Sequence, residues 1–150
     1  MSAPAVRTAT SGSSRTNTTA AVVLVLDEPD MAVGTAGALI YVGTVLPERA
    51  RDAQAVLPIA NVAEEEGTFV NRDGRVQRYF QAKSAPGMAR PAWWVLSGLV
   101  ATLGDQGGGP VGTAAEAFDR MAASVDAFRG LSYPQLGFGG RAAPATAVPA

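Results

Sequence analysis

The chain has 150 residues, the length of one domain and enough for a single modest core. With 47% hydrophobic and 17% charged residues it is globular in composition, and a formal net charge of −1 offers no field for nucleic acid. It contains neither Cys nor His, which excludes disulfides, thiolate or imidazole metal ligands, ordinary iron–sulfur clusters and Ser-His-Asp or Cys-His catalysis.

Residues 1–19 are Ser, Thr, Ala and Gly with two Arg and no apolar periodicity, and are predicted to be a disordered leader. A secretory reading would take Ala20–Leu26 as its apolar core. That run is short, and Asp27-Glu28-Pro29-Asp30 follows with no small-residue cleavage site. No run approaches the roughly 20 apolar residues of a membrane span. Ala21–Leu26 is a β-branched run of the kind buried on both faces of a parallel sheet. Gly34-Thr35-Ala36-Gly37 predicts a loop; with neither GxGxxG nor a P-loop Lys, it is turn chemistry and not a phosphate cradle. Ala38–Val42 is a second strand, Pro47–Ala53 a short helical crossover and Ala55–Leu57 a third strand. Strand, short helix, strand is βαβ logic. The predicted fold class is therefore α/β: a small, mostly parallel sheet with short crossover helices, a β-hairpin and two C-terminal helices.

Glu64, Glu65 and Glu66 invite an acid–base or metal role, but three adjacent carboxylates on one turn point in different directions. A solvated face, with one of them bonding the next loop, is the simpler expectation. Thr68-Phe69-Val70 and Arg75–Phe80 flank Asn71-Arg72-Asp73-Gly74, which has the chemistry of a three-residue hairpin loop with Gly74 at positive φ. Pro91 is placed at the first helical position. Trp93, Leu96, Val100 and Leu103, with Leu99 alongside, form an expected core-facing stripe that Gly104 ends. Residues 105–112 are a Gly-rich linker. Thr113 and Glu116 then form a capping box for an amphipathic helix over 113–130, with its stripe at Phe118, Met121, Val125 and Phe128. Residues 131–150 are expected to be a flexible tail. Three strands and two helices make too small a sheet to be covered without an exposed edge or apolar face.

The stretch VLPIANVAEEEGTFVNRDGRVQ, Val56 to Gln77, resembles the VLP-x-A…E-x-x-GT-x-x-N-x-x-GR-x-Q segment of the molybdopterin oxidoreductase superfamily. Within it, the resemblance is greatest to the large iron–sulfur subunit of NADH–quinone oxidoreductase, respiratory complex I. Pro86–Trp93 is similar to the PG-x-AR-x-x-W that follows in that large subunit. The resemblance runs from about Ala38 to Gly104. It departs from the family's DVVLP at Gln54-Ala55-Val56-Leu57-Pro58, where the usual acidic residue is absent. The resemblance implies a molybdopterin-oxidoreductase-like fragment over 20–104. It would support NADH-to-quinone electron transfer structurally, with no redox centre or cofactor and no catalytic residue of its own. Its implied partners are other respiratory-complex subunits or the N-terminal part of its own subunit. Its implied place is cytoplasmic, peripheral to the inner face of the cell membrane through those partners, with no direct membrane insertion. The alternative is the cofactor-contacting end of an active molybdenum or tungsten oxidoreductase such as a formate dehydrogenase. There Glu66, Gly67, Thr68, Asn71 and Arg75 would share a role in contact with the molybdopterin or an interface; the simpler expectation is that they only fix the hairpin. A free-standing interaction module, with the Phe118–Phe128 stripe as its partner face, is a third class.

Overall fold

The computed structural model describes residues 6–8, 20–27, 36–104 and 109–143. They fall into two compact units, residues 1–60 with 87–89 and residues 61–86 with 90–150.

In the first unit, β1 (Val6–Thr8), β2 (Ala20–Leu26), β3 (Ala36–Gly43) and β4 (Ala55–Pro58) form one sheet in that order, with every pairing parallel. The α/β class and the three expected strands are present. In register, Val25 lies opposite Tyr41 and Tyr41 opposite Val56. Val25, Tyr41 and Ala50 are buried, with Val23, Leu39 and Ala53 packed against them. The β3–β4 crossover is shorter than expected, a single 3-10 turn at Glu48–Ala50 whose one buried residue is Ala50. Ala36 and Gly37, expected in a loop, extend β3; the rest of that loop lies outside the described residues. Within the expected leader, Val6–Thr8 pairs with Val22–Leu24. Its remaining residues also lie outside the described set. At the end of β2, Asp27 takes a positive φ of 47° and its Oδ1 accepts the Thr44 amide (2.8 Å) and hydroxyl (2.9 Å). A short polar side chain tolerates that backbone region best after glycine.

The second unit is built on a hairpin, β5 (Gly67–Val70) and β6 (Arg75–Tyr79), extended by β7 (Arg141–Ala142) on the far side of β6. The turn forms as expected: Asn71 N–H donates to the Arg75 carbonyl, and Gly74 closes the loop at φ 71°. Helices α1 (Ala92–Thr102), α2 (Ala114–Ser124) and the single turn α3 (Tyr133–Leu136) follow. The core joins Val76, Ala114, Phe118, Ala122, Tyr133 and Leu136, with Trp93, Met121 and Phe128 packed at its edge.

Four expectations here need correction. Pro91 is the N-cap of α1 and not its first helical residue. The α1 stripe is not buried: Val100 and Leu103 are exposed, and only Trp93 reaches the core. The helix is apolar around most of its circumference, so no polar face fixes its orientation. The helix expected to reach residue 130 stops at Ser124, because Val125 takes an extended conformation before a 3-10 turn at Asp126–Phe128. The segment 131–143 is no loose tail. Tyr133 and Leu136 are 5% and 2% exposed, and Ser132 and Gln135 make a reciprocal capping box around α3.

Candidate functional site

The acidic segment and the hairpin form one hydrogen-bonded assembly. Asn61 and Glu64 begin it. Glu64 Oε2 accepts the Asn61 N–H at 3.1 Å, and the Glu64 N–H donates to the Asn61 carbonyl at 2.8 Å. Glu64 Oε1 lies 2.9 Å from Lys83 Nζ. The Lys83 hydrogen bond and then the Asn61 N–H hold the Glu64 carboxyl below its ordinary value, against the opposing effect of burial. Glu65 bridges two elements: Oε1 accepts the Tyr79 hydroxyl at 2.9 Å and Oε2 accepts the Ala92 N–H at the start of α1 at 2.8 Å. A carboxylate at a helix N-terminus meets unsatisfied amides and the positive end of the dipole. The Glu66 carbonyl accepts the Trp93 indole N–H at 3.1 Å. The triplet is thus not a solvated face: Glu64 is 6% exposed and the other two are half-buried.

The remaining candidates divide. Gly67 is buried against Tyr79, and a Cβ there would sit 2.7 Å from the phenol oxygen. Asn71 Oδ1 accepts the Asp73 and Arg75 amides at 3.0 and 2.8 Å, which fixes the turn. Arg75 reaches across to the loop before β7, donating Nε to the Gly139 carbonyl at 2.5 Å and a terminal nitrogen to Gly140 at 3.1 Å. Thr68 shares the hairpin but makes no side-chain hydrogen bond among the described residues, nor does the Glu66 carboxylate.

The structure therefore gathers all five candidates on one hairpin while committing Gly67, Asn71 and Arg75 to internal contacts. What remains is one carboxylate and one hydroxyl. A phosphate-bearing cofactor calls for N–H donors and cations, so this set alone does not fit a pterin. No group of three or more acidic side chains among the described residues is arranged to hold a metal ion. Sequence reasoning missed Tyr79, Lys83 and Ala92 as the partners of Glu64 and Glu65. Tyr79, twelve residues past Gly67 on a predicted hairpin, offered the one legible signal.

Residues 21–102, more than half of the chain, match the molybdopterin oxidoreductase family. The chain belongs to that family. The match begins at β2, well ahead of the Ala38 boundary read from the motifs. Among curated relatives, the F420-dependent formate dehydrogenase 2 subunit alpha of Methanococcus maripaludis is 40% identical over 95 residues, 63% of this chain and 14% of its own length. An NADH-quinone oxidoreductase subunit of Rhizobium meliloti is 32% identical over 111 residues, 74% of this chain and 13% of its length. The 78 kDa subunit of mitochondrial NADH-ubiquinone oxidoreductase of Neurospora crassa is 39% identical over 66 residues, 44% of this chain and 9% of its length. The molybdopterin oxidoreductase segment seen here thus spans about a seventh or less of these relatives. Both kinds of relative match it, and the respiratory kind is not singled out as the resemblance had implied.

Proposed function

We propose that this chain supplies a structural element of a molybdopterin-family oxidoreductase, with its reacting groups lying elsewhere. The observation that carries this reading is the use of the family-motif side chains. Glu64, Glu65, Asn71 and Arg75 bind Lys83, Tyr79, the α1 amide, their own turn and the β7 loop. Groups held this way brace a fold. Within a respiratory NADH–quinone oxidoreductase the chain would support NADH-to-quinone electron transfer as part of the peripheral arm, and would reach the membrane surface only through partner subunits. Among the described residues no helix is long and apolar enough to cross a membrane.

A second reading places the hairpin at the cofactor-contacting end of an active formate dehydrogenase. One thing favours it, the 40% identity to a formate dehydrogenase alpha subunit. Elemental analysis of the purified chain, combined with formate-dependent reduction of a viologen dye, separates the two. The structural reading expects no stoichiometric molybdenum, tungsten or iron and no dye reduction. Stoichiometric molybdenum or tungsten would replace it with the second.

A further inference from the structure

β5 stands at the edge of its sheet, with β6 paired on one side and no described strand on the other. The ladder alternates along it. Asn71 bonds Arg75, so Asn71, Phe69 and Gly67 turn their main-chain groups toward β6 while Thr68 and Val70 turn theirs outward. Sheet edges are usually blunted by a charge, a proline, a bulge or brevity. The edge strand β4 ends in Pro58, and β7 is two residues long with Arg141 in it. β5 reads Gly-Thr-Phe-Val and has no charge, proline or bulge. Phe69 is 47% and Val70 42% exposed, so solvent reaches the strand.

The charges that flank β5 select what pairs with it. Glu66 directly precedes the strand and Arg72 follows it in the turn, each three positions from Phe69. Neither is in an ion pair among the described residues. Two copies of β5 set antiparallel about Phe69 bring Thr68 opposite the partner's Val70, where the outward groups of both exchange hydrogen bonds. The same register sets Glu66 opposite the partner's Arg72, and symmetry repeats that pairing. A parallel arrangement would set Glu66 beside Glu66 and Arg72 beside Arg72. Opposite charges across a sheet stabilise the pairing and like charges oppose it. Phe69 meets its own copy on the face that carries Tyr79, whose ring lies 6.4 Å from it between centroids.

We propose that a second copy of this chain adds to β5, antiparallel and in register about Phe69, so that one sheet runs across a two-fold axis. One short strand carries both complementary charges at equal distances from its centre, which favours its own copy over an unrelated strand. So short a pairing buries less than a standard interface, and the dimer is a weak one, with a Kd on the order of 100 μM. The inference does not depend on which oxidoreductase the chain serves.

The test uses the full chain from about 10 μM to 1 mM, a range that brackets such an affinity. Sedimentation equilibrium reads the dimer, and amide hydrogen exchange reads its place. We expect the Thr68 and Val70 amides to exchange more slowly as the dimer forms. Glu66→Lys and Arg72→Glu should each weaken the dimer by about tenfold, because each puts like charges at both symmetric positions. The two changes together should restore it to within about threefold of the native chain. A chain that stays monomeric throughout the range overturns the proposal. A dimer whose Thr68 and Val70 amides exchange as fast as in the monomer also overturns it and places the interface elsewhere. Single variants that associate like the native chain, or a double variant no better than either single one, overturn the register and the proposal with it.

Discussion

The Tyr79 hydroxyl donates to Glu65 Oε1 at 2.9 Å from fourteen residues away, while the other oxygen of the same carboxylate caps α1 at Ala92. One side chain therefore joins the hairpin to the first helix. Removing it strands two donors at once. Glu65→Ala should destabilise this unit by about 2–4 kcal/mol, and Glu65→Gln, which keeps an acceptor oxygen, by about 1 kcal/mol. Urea denaturation of both variants measures the difference. A loss below about 0.5 kcal/mol for the alanine variant would mean that the bridge adds little to the stability of this unit.

Two ionisable groups give stability opposite pH slopes. Lys83 and the Asn61 amide depress the Glu64 carboxyl from its ordinary 4.5. On acidification the unfolded chain takes up this proton first. The contribution is therefore complete above the ordinary value and is lost as pH falls through the folded one. Burial first, and then the bond to Glu65, push the Tyr79 phenol above its ordinary 10.0. Its contribution is complete below that value and fades as pH rises toward the folded one. Glu64→Gln should flatten the acid limb of a stability–pH curve and Tyr79→Phe the alkaline limb. Curves that keep both slopes in these variants would show that other groups set them.

Gly74 sits at φ 71°, where a β-branched side chain is strained. Gly74→Val should cost about 1–3 kcal/mol, read as a lower thermal midpoint. An unchanged midpoint would remove the turn as a fixed element.

Leu136 is 2% exposed and Phe138, two residues on, is 93% exposed. Leu136→Ala should cost about 2–4 kcal/mol and Phe138→Ala less than about 0.5 kcal/mol. Comparable small losses from both would return this segment to the status of a loose tail.

Much of the fold was legible because its signals are local. The β-branched run Ala21–Leu26 reads as a strand by itself, although among its described side chains only Val25 is buried and Leu26 is exposed, and Asn71–Gly74 can hardly be other than a turn. Thr113 was visible as an N-cap too; its hydroxyl accepts the Glu116 N–H at 3.1 Å. Glu116, however, reaches back to the Gly112 amide at 2.8 Å, one residue beyond the position a capping box predicts. The site was less legible, since its partners meet over long separations. Nothing in Arg75 announces an acceptor at Gly139, and nothing in Glu65 announces Ala92. The burial of Tyr133 and Leu136 was hidden by composition: glycine and proline around them suggest mobility, while Ser132 and Gln135 carried a capping signal that went unread.

The bonds from Arg75 to Gly139 and Gly140 span 64 and 65 residues, and β7 pairs with β6 across a similar gap. During synthesis the hairpin emerges long before the strand that borders it. At translation rates of 5–20 residues per second, that interval is roughly 3–13 s. For that time one edge of β6 is open and Val76 has no Leu136 to pack against. The nascent chain is then most exposed to strand pairing with the wrong neighbour, and anything that slows the ribosome between residues 80 and 140 lengthens the exposure.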